Sequence, residues 1–307
     1  HYQQNLDGNG YTLKDTENLK GTTGTEATAV VKNYEGFTLD KTVAGTVEKG
    51  TITGDGKLVL KLYYTRNSYK VTYSYEGTAP AGASAVPTEA TYKYGATVDV
   101  ADAATASGYT FSGWSTTDAT VSSDSFTMPA KDVALKGSFT ADDDSLVYDA
   151  NGGTGTMSAT EDKVDQTVTV AANRFERAGY TFTGWNTKAD GTGTAYQPGY
   201  AYTLTPGEDV LYAQWTANAQ KYTVNYLEKD TNKVLKTAVQ KDTKYAKEIA
   251  GADEKVEITG YTYDSVDPVK LVVGADNTKN VINVYYTANA QKYTVNYLEK
   301  DTNKVLK

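Results

Sequence analysis

The side chains able to perform acid-base, nucleophilic or metal chemistry are few and poorly arranged for it. His1 is the single histidine of 307 residues, at the first position, and there is no cysteine. A Ser-His-Asp triad, a thiol nucleophile, a thioester and a cysteine or histidine metal site therefore lack their parts. Asp142, Asp143 and Asp144 stand in a row that acid-base or calcium chemistry could use, but their place between two repeated segments reads as a solvated charge run. Asp7-Gly8-Asn9-Gly10-Tyr11 opens like a calcium loop. It then has Thr12 where the EF-hand pattern wants glycine and Asn18 where it wants a bidentate carboxylate, leaving a plain Asx/Gly turn. Asn151-Gly152-Gly153-Thr154-Gly155 is glycine-rich as phosphate loops are, but no Lys-Ser/Thr pair follows it, so a hairpin turn is expected. The chain is expected to be non-enzymatic and to need no cofactor or metal.

Flat rings offer a different chemistry, the stacking and hydroxyl bonding that recognise sugars. Trp114 and Trp185 lie in the repeated segments GYTFSGW (108–114) and GYTFTGW (179–185), where burial outweighs ligand contact. Period-two reading of the strands that close each repeat puts Leu60-Leu62-Tyr64, Leu135-Gly137-Phe139, Leu211-Ala213-Trp215 and Ile282-Val284-Tyr286 on an inner face. The opposite face then carries Tyr63, Tyr212 and Tyr285, the candidate ligand-contact residues. Isolated exposed aromatics need no function, so a bland reading stands beside that one.

The elements that position these rings follow from composition and repetition. Tyrosine supplies 26 residues against 6 Phe, 3 Trp and 2 Met, which is strand chemistry with a polar edge and little material for helices. Residues 216–236, TANAQKYTVNYLEKDTNKVLK, recur letter for letter as 287–307. A repeat that stops there predicts a segment of a longer array. Weaker copies share a closing aromatic-threonine step at Thr65, Thr140, Thr216 and Thr287, spaced 75, 76 and 71 residues apart. Four modules follow, 1–65, 66–140, 141–216 and 217–287, with a further start at 288–307; Tyr2 is expected to match Tyr226. Each module also carries a Gly-aromatic-Thr mark, at Gly36, Gly108, Gly179 and Gly260. Residues 245–256 are the best helix candidate, with one or two turns.

The stretch from Tyr222 to Tyr286, with YTVNYLEKDTNKVLK, ITGYTYD and NVYYT, resembles a mucin-binding-protein (MucBP) repeat of Gram-positive surface proteins, and residues 1–65 resemble a divergent member. Residues 141–216, with YDANGGTGTM, RAGYTFTGWNTKADGTGTAY and LYAQWT, resemble the Listeria-Bacteroides or internalin B-type repeat, and 66–140 share its GYTFSGW. These resemblances imply a predominantly β chain of tandem small β-grasp-like (ubiquitin-like) modules in an elongated beads-on-a-string array, secreted and attached to the bacterial cell wall. They imply an adhesin segment that binds host mucin or another glycoprotein weakly and multivalently. The alternatives are a passive stalk presenting another domain and an accessory region of a large secreted hydrolase. Neighbouring repeats of the same chain are expected partners. Nucleic acid is not, because the net charge of −8 offers no field to attract it. Membrane insertion is not expected either, since no apolar run approaches the ~20 residues of a spanning helix.

Overall fold

A computed structural model describes residues 1–306, and they are predominantly β: the helical content among them is a single 3-10 turn at Gly251–Glu254. That turn and the strand Glu248–Ala250 occupy the helix candidate. The chain divides into two compact units, one of residues 1–144 with 163–166 and 205–207, the other of the remainder.

In the first unit, residues 1–66 form a sheet in the order Tyr11–Leu13, Tyr2–Gln4, Tyr63–Arg66, Phe37–Leu39. Its two central strands run parallel, with Tyr2 opposite Tyr63, while the flanking strands pair antiparallel. Residues 68–141 repeat the scheme in two pieces: Val133–Gly137 lies parallel to Ser68–Tyr75, with Ala90–Lys93 beyond it, and Tyr109–Phe111 pairs with Phe139–Ala141.

The later sheets keep the same order. Thr160–Lys163, Asp143–Asp149, Asp209–Ala217, Tyr180–Asn186 and Ala195–Tyr196 follow one another across one sheet; Val234–Lys244, Ala219–Glu228, Val281–Ala288 and Tyr261–Asp267 follow one another across another. Opening and closing strands are parallel in both. Parallel neighbours require a crossover, and the intervening chain carries small two-stranded antiparallel sheets on the way, Thr167–Thr169 with Ala201–Thr203 and Glu248–Ala250 with Lys270–Val272.

Alternation along the closing strands decides the cores. Leu62, Tyr64, Leu135, Leu211, Ala213, Ile282, Val284 and Tyr286 are buried. Separate clusters gather around Leu135 with Met128, around Trp185 with Leu211, and around Ile282 with Tyr286. Trp215 and Phe139 occupy the same face but are half-buried, Trp215 donating from Nε1 to Ala150 O at 2.9 Å. The expected match of Tyr2 with Tyr226 is off by one. Leu227 pairs with Tyr285 as Tyr2 pairs with Tyr63, so Tyr2 corresponds to Leu227 and His1 to Tyr226. A one-residue slip exchanges the two faces of a strand. His1 accordingly turns inward, stacked on Tyr64 with ring centroids 5.8 Å apart, and Tyr2 turns outward.

Candidate functional site

Each candidate tyrosine stands on a different sheet, and the three have different neighbours. Tyr63 is half-buried in an aromatic group of its own module: Tyr2 stacks on it at 4.9 Å and 22°, and Tyr11 meets it edge-on at 5.1 Å. The Tyr11 hydroxyl lies 3.0 Å from Thr65 Oγ1, which donates to Asp40 Oδ2 at 3.0 Å. Bonds from the hydroxyl and amide of Thr42, and then from Thr65, hold the Asp40 carboxyl below the usual carboxylate range. Tyr2, Tyr11 and Tyr63 thus form a ring platform with a carboxylate near its edge. Tyr212 and Tyr285 are half-buried too; Tyr212 lies opposite Asp149 and Asn186, and Tyr285 opposite Leu227 and Ser265.

The tryptophans divide. Trp185 is 1% exposed and donates from Nε1 to Ala171 O at 3.1 Å, a satisfied core indole. Trp114 is half-buried, stacked on Tyr75 at 5.6 Å and 14°, and donates to Asp102 O at 2.9 Å. Among the polar motifs, Asp7 Oδ1 accepts the Asn9 amide at 2.8 Å, which is an Asx turn. Asn151 and Gly152 sit at φ 45° and 84° in a tight turn closed by Gly153 N to Ala150 O at 2.9 Å, but no two-residue hairpin forms, because Thr154 goes on to bridge Glu176. His1 Nδ1 is 3.1 Å from the Tyr64 hydroxyl. Beside it Lys32 is bonded to Asp15 and, at 2.9 Å, to Glu17. That contact draws the Asp15 pKa down and pushes the lysine up.

The recurrent geometry lies between the modules and was not read from the sequence. The closing strand Tyr63–Arg66 and the next opening strand Ser68–Tyr75 are separated by Asn67 alone; Asp142 and Asn218 stand likewise between Phe139–Ala141 and Asp143–Asp149, and between Asp209–Ala217 and Ala219–Glu228. Each of these residues is clamped by the preceding module's Gly-aromatic-Thr mark. The amide of Asn67 donates to Gly36 O at 2.8 Å, that of Asp142 to Gly108 O at 2.9 Å, and that of Asn218 to Gly179 O at 2.9 Å. The threonine hydroxyls complete the clamp: Thr38 to Asn67 Oδ1 at 2.7 Å, Thr110 to Asp142 Oδ1 at 2.7 Å, Thr181 to Asn218 Oδ1 at 2.6 Å.

The carbonyl of the linker residue then receives an amide from a turn that follows it. Tyr94 N donates to Asn67 O at 2.8 Å, Val164 N to Asp142 O at 3.0 Å, and Tyr245 N to Asn218 O at 2.9 Å. The side chain of that turn lies over the bare glycine. A Cβ on Gly36 would fall 2.2 Å from the Tyr94 ring, one on Gly179 2.4 Å from the Tyr245 ring, and one on Gly108 2.9 Å from Val164 Cγ2. The aromatic of the mark packs beside it, Phe37 edge-on to Tyr94 at 5.6 Å and Tyr180 edge-on to Tyr245 at 5.6 Å. Tyr109 instead donates to Asp165 Oδ2 at 2.6 Å. The glycines have φ of 78°, 73° and 78°, so both conformation and space require glycine. The first joint adds Arg66, 5% exposed, whose guanidinium donates to the carbonyls of Tyr94 at 2.6 Å and Leu6 at 2.5 Å.

Two repeat domains are found in the chain: the Listeria-Bacteroides repeat domain matches residues 145–214, and the divergent InlB B-repeat domain matches residues 73–143. Among similar curated proteins, one described as a Gly-rich membrane protein of Evansella cellulosilytica is 32% identical over 155 residues, 46% of this chain and 18% of that protein. Another membrane protein of the same organism is 30% identical over 185 residues, 59% of this chain and 27% of its own length. The chain thus spans less than a third of either relative. No helix among the described residues is long and apolar enough to cross a membrane.

Proposed function

We propose that this chain is a non-enzymatic repeat segment of a bacterial cell-surface adhesin, projecting from the wall, whose first task is to hold and space what it carries. The observation that carries this reading is the joint. At Asn67 in the first unit and at Asn218 in the second, a single polar residue separates consecutive modules, fixed by two hydrogen bonds to one side and one to the other. Free linkers would leave successive modules uncoupled, whereas such an interface adds stability between neighbours. The two repeat domains are of a kind typical of surface proteins. The β-grasp-like reading of each module is supported by the recurring sheet order with a parallel central pair. The MucBP reading of 1–65 and 217–287 rests on their resemblance. To test the spacing role, an epitope is displayed on a wall anchor with and without residues 1–307 between them. Capture by antibody-coated beads should require the intervening chain, and equal capture without it would dismiss that role.

A second task, weak multivalent contact with mucin or another glycoprotein, is favoured by the Tyr2-Tyr11-Tyr63 platform. With a net charge of −8, attraction to anionic glycans by charge is disfavoured, so ring contact is the expected mode. Retention of the full chain on immobilised mucin should fall when Tyr63, Tyr212 and Tyr285 are all replaced by serine, and should change little with salt. Retention that ignores the three substitutions and collapses with salt would exclude the tyrosine faces.

A further inference from the structure

We propose that Gly260, Tyr261, Thr262 and Asn289 form a docking seat for the turn of a further tandem copy of the repeat, which lays a tyrosine over Gly260 as Tyr245 lies over Gly179. This goes beyond the adhesin reading and does not depend on it. Three seats of the same construction are filled, two in the first unit by Tyr94 and Val164, and one in the second by Tyr245. The fourth is assembled without its occupant. Asn289 N donates to Gly260 O at 2.9 Å and Thr262 Oγ1 donates to Asn289 Oδ1 at 2.6 Å, the same two bonds that fix Asn218. Gly260 has φ 81°, yet a Cβ built on it would meet nothing within 4 Å, where the equivalent atom on Gly179 would strike the Tyr245 ring at 2.4 Å.

The chemistry of the seat names its occupant. It presents a bare glycine that a ring face can cover, an aromatic edge in Tyr261, and the carbonyl of Asn289 at the position where Asn218 receives the Tyr245 amide. The turn at residues 244–247 supplies each counterpart at the third joint: the Tyr245 ring, its amide, and a tight reversal in which Ala246 takes φ 58° and Lys247 N donates to Lys244 O at 3.2 Å. Residues 288–307 repeat 217–236 letter for letter, so the chain beside the fourth seat has the sequence that leads to this turn in the fourth module. A second molecule is a poorer occupant, since its own Tyr94, Val164 and Tyr245 already cover Gly36, Gly108 and Gly179.

The test completes the copy by appending residues 237–287 after Lys307 and follows the Gly260 Hα resonance in glycine-labelled protein. A ring face over a glycine Cα shifts its protons upfield, and Gly179, already covered, gives the reference position. Completion should move Gly260 toward that position. Phenylalanine at the appended counterpart of Tyr245 should preserve the shift, and alanine should abolish it while the appended module stays folded. A folded fifth module with Gly260 unmoved would overturn the proposal. So would failure of the appended module to fold, because the same sequence folds on the Asn218 seat. An equal shift in the unextended chain at high concentration would assign the seat to a second molecule and overturn the tandem assignment.

Discussion

Residue types alone place few charges in the cores, and Glu254 is the informative exception. It is 6% exposed, accepts from the Tyr222 hydroxyl at 2.7 Å and receives Lys241 Nζ at 2.5 Å. Burial, and next the carboxylate, push the Tyr222 pKa up to about 12. A tyrosine raised above its usual value of about 10 favours folding while neutral, and that contribution is lost as pH climbs from about 10 through about 12. The fourth module should therefore melt progressively earlier across that window, and Tyr222→Phe should flatten the loss; an identical alkaline slope in the variant would assign the effect to other groups. Packing gives a second contrast at this scale. Trp185→Ala should cost about 3–5 kcal/mol of stability as a large-to-small core change. Tyr212→Ala, on a half-buried outward ring, should cost well under half of that in the same denaturant titration.

At the scale of elements, the closing strands were legible because period two repeats: Leu135, Leu211 and Ile282 are buried as their alternation requires, whereas their counterpart Leu60, which lies ahead of the strand Tyr63–Arg66, is half-buried. Registers between strands were less so, as His1 and Tyr2 show, because a three-residue strand leaves little pattern to fix a face. The joints left a sequence signal in one recurring polar position. Asn67, Asp142, Asn218 and Asn289 each stand two residues beyond the aligned threonine. The turn that fills each seat was not legible at all, since Tyr94, Val164 and Tyr245 gain their meaning from glycines far away along the chain. This geometry predicts that two chemically equal substitutions differ. Gly260→Ala meets only the backbone penalty of a positive φ, about 1–2 kcal/mol. Gly179→Ala adds a collision with the Tyr245 ring and should cost clearly more, with Tyr245→Ala recovering part of the excess. Equal costs would mean that the ring does not rest on Gly179. Asn218→Ala should lose about 1 kcal/mol with the threonine bond, while Asn218→Asp should be tolerated, as Asp142 fills the same role.

For the whole molecule, stability should be distributed as the cores are. The modules built on residues 66–140, 141–216 and 217–287 each hold a cluster of six to nine buried apolar side chains, whereas residues 1–65 bury only Leu62 and Tyr64 among theirs. A module so thinly cored depends on its joint, where Arg66 spends its guanidinium on backbone carbonyls contributed by both modules and Tyr94 closes over Gly36. Among the four modules, amide exchange should therefore be fastest in residues 1–65, because local opening free energy follows buried apolar contact. Tyr94→Ala should accelerate it further there, with less effect on the Leu135–Met128 core. Arg66→Ala, which leaves the Tyr94 and Leu6 carbonyls without their charged donor, should act in the same direction. If Tyr94→Ala instead accelerates exchange equally in both modules, the joint is an inseparable part of the second core. If it changes neither, the first module is held by its own rings, Tyr2 and Tyr11 against Tyr63 on one face and Tyr34 edge-on to Tyr64 at 4.9 Å on the other, and the joint merely orients it.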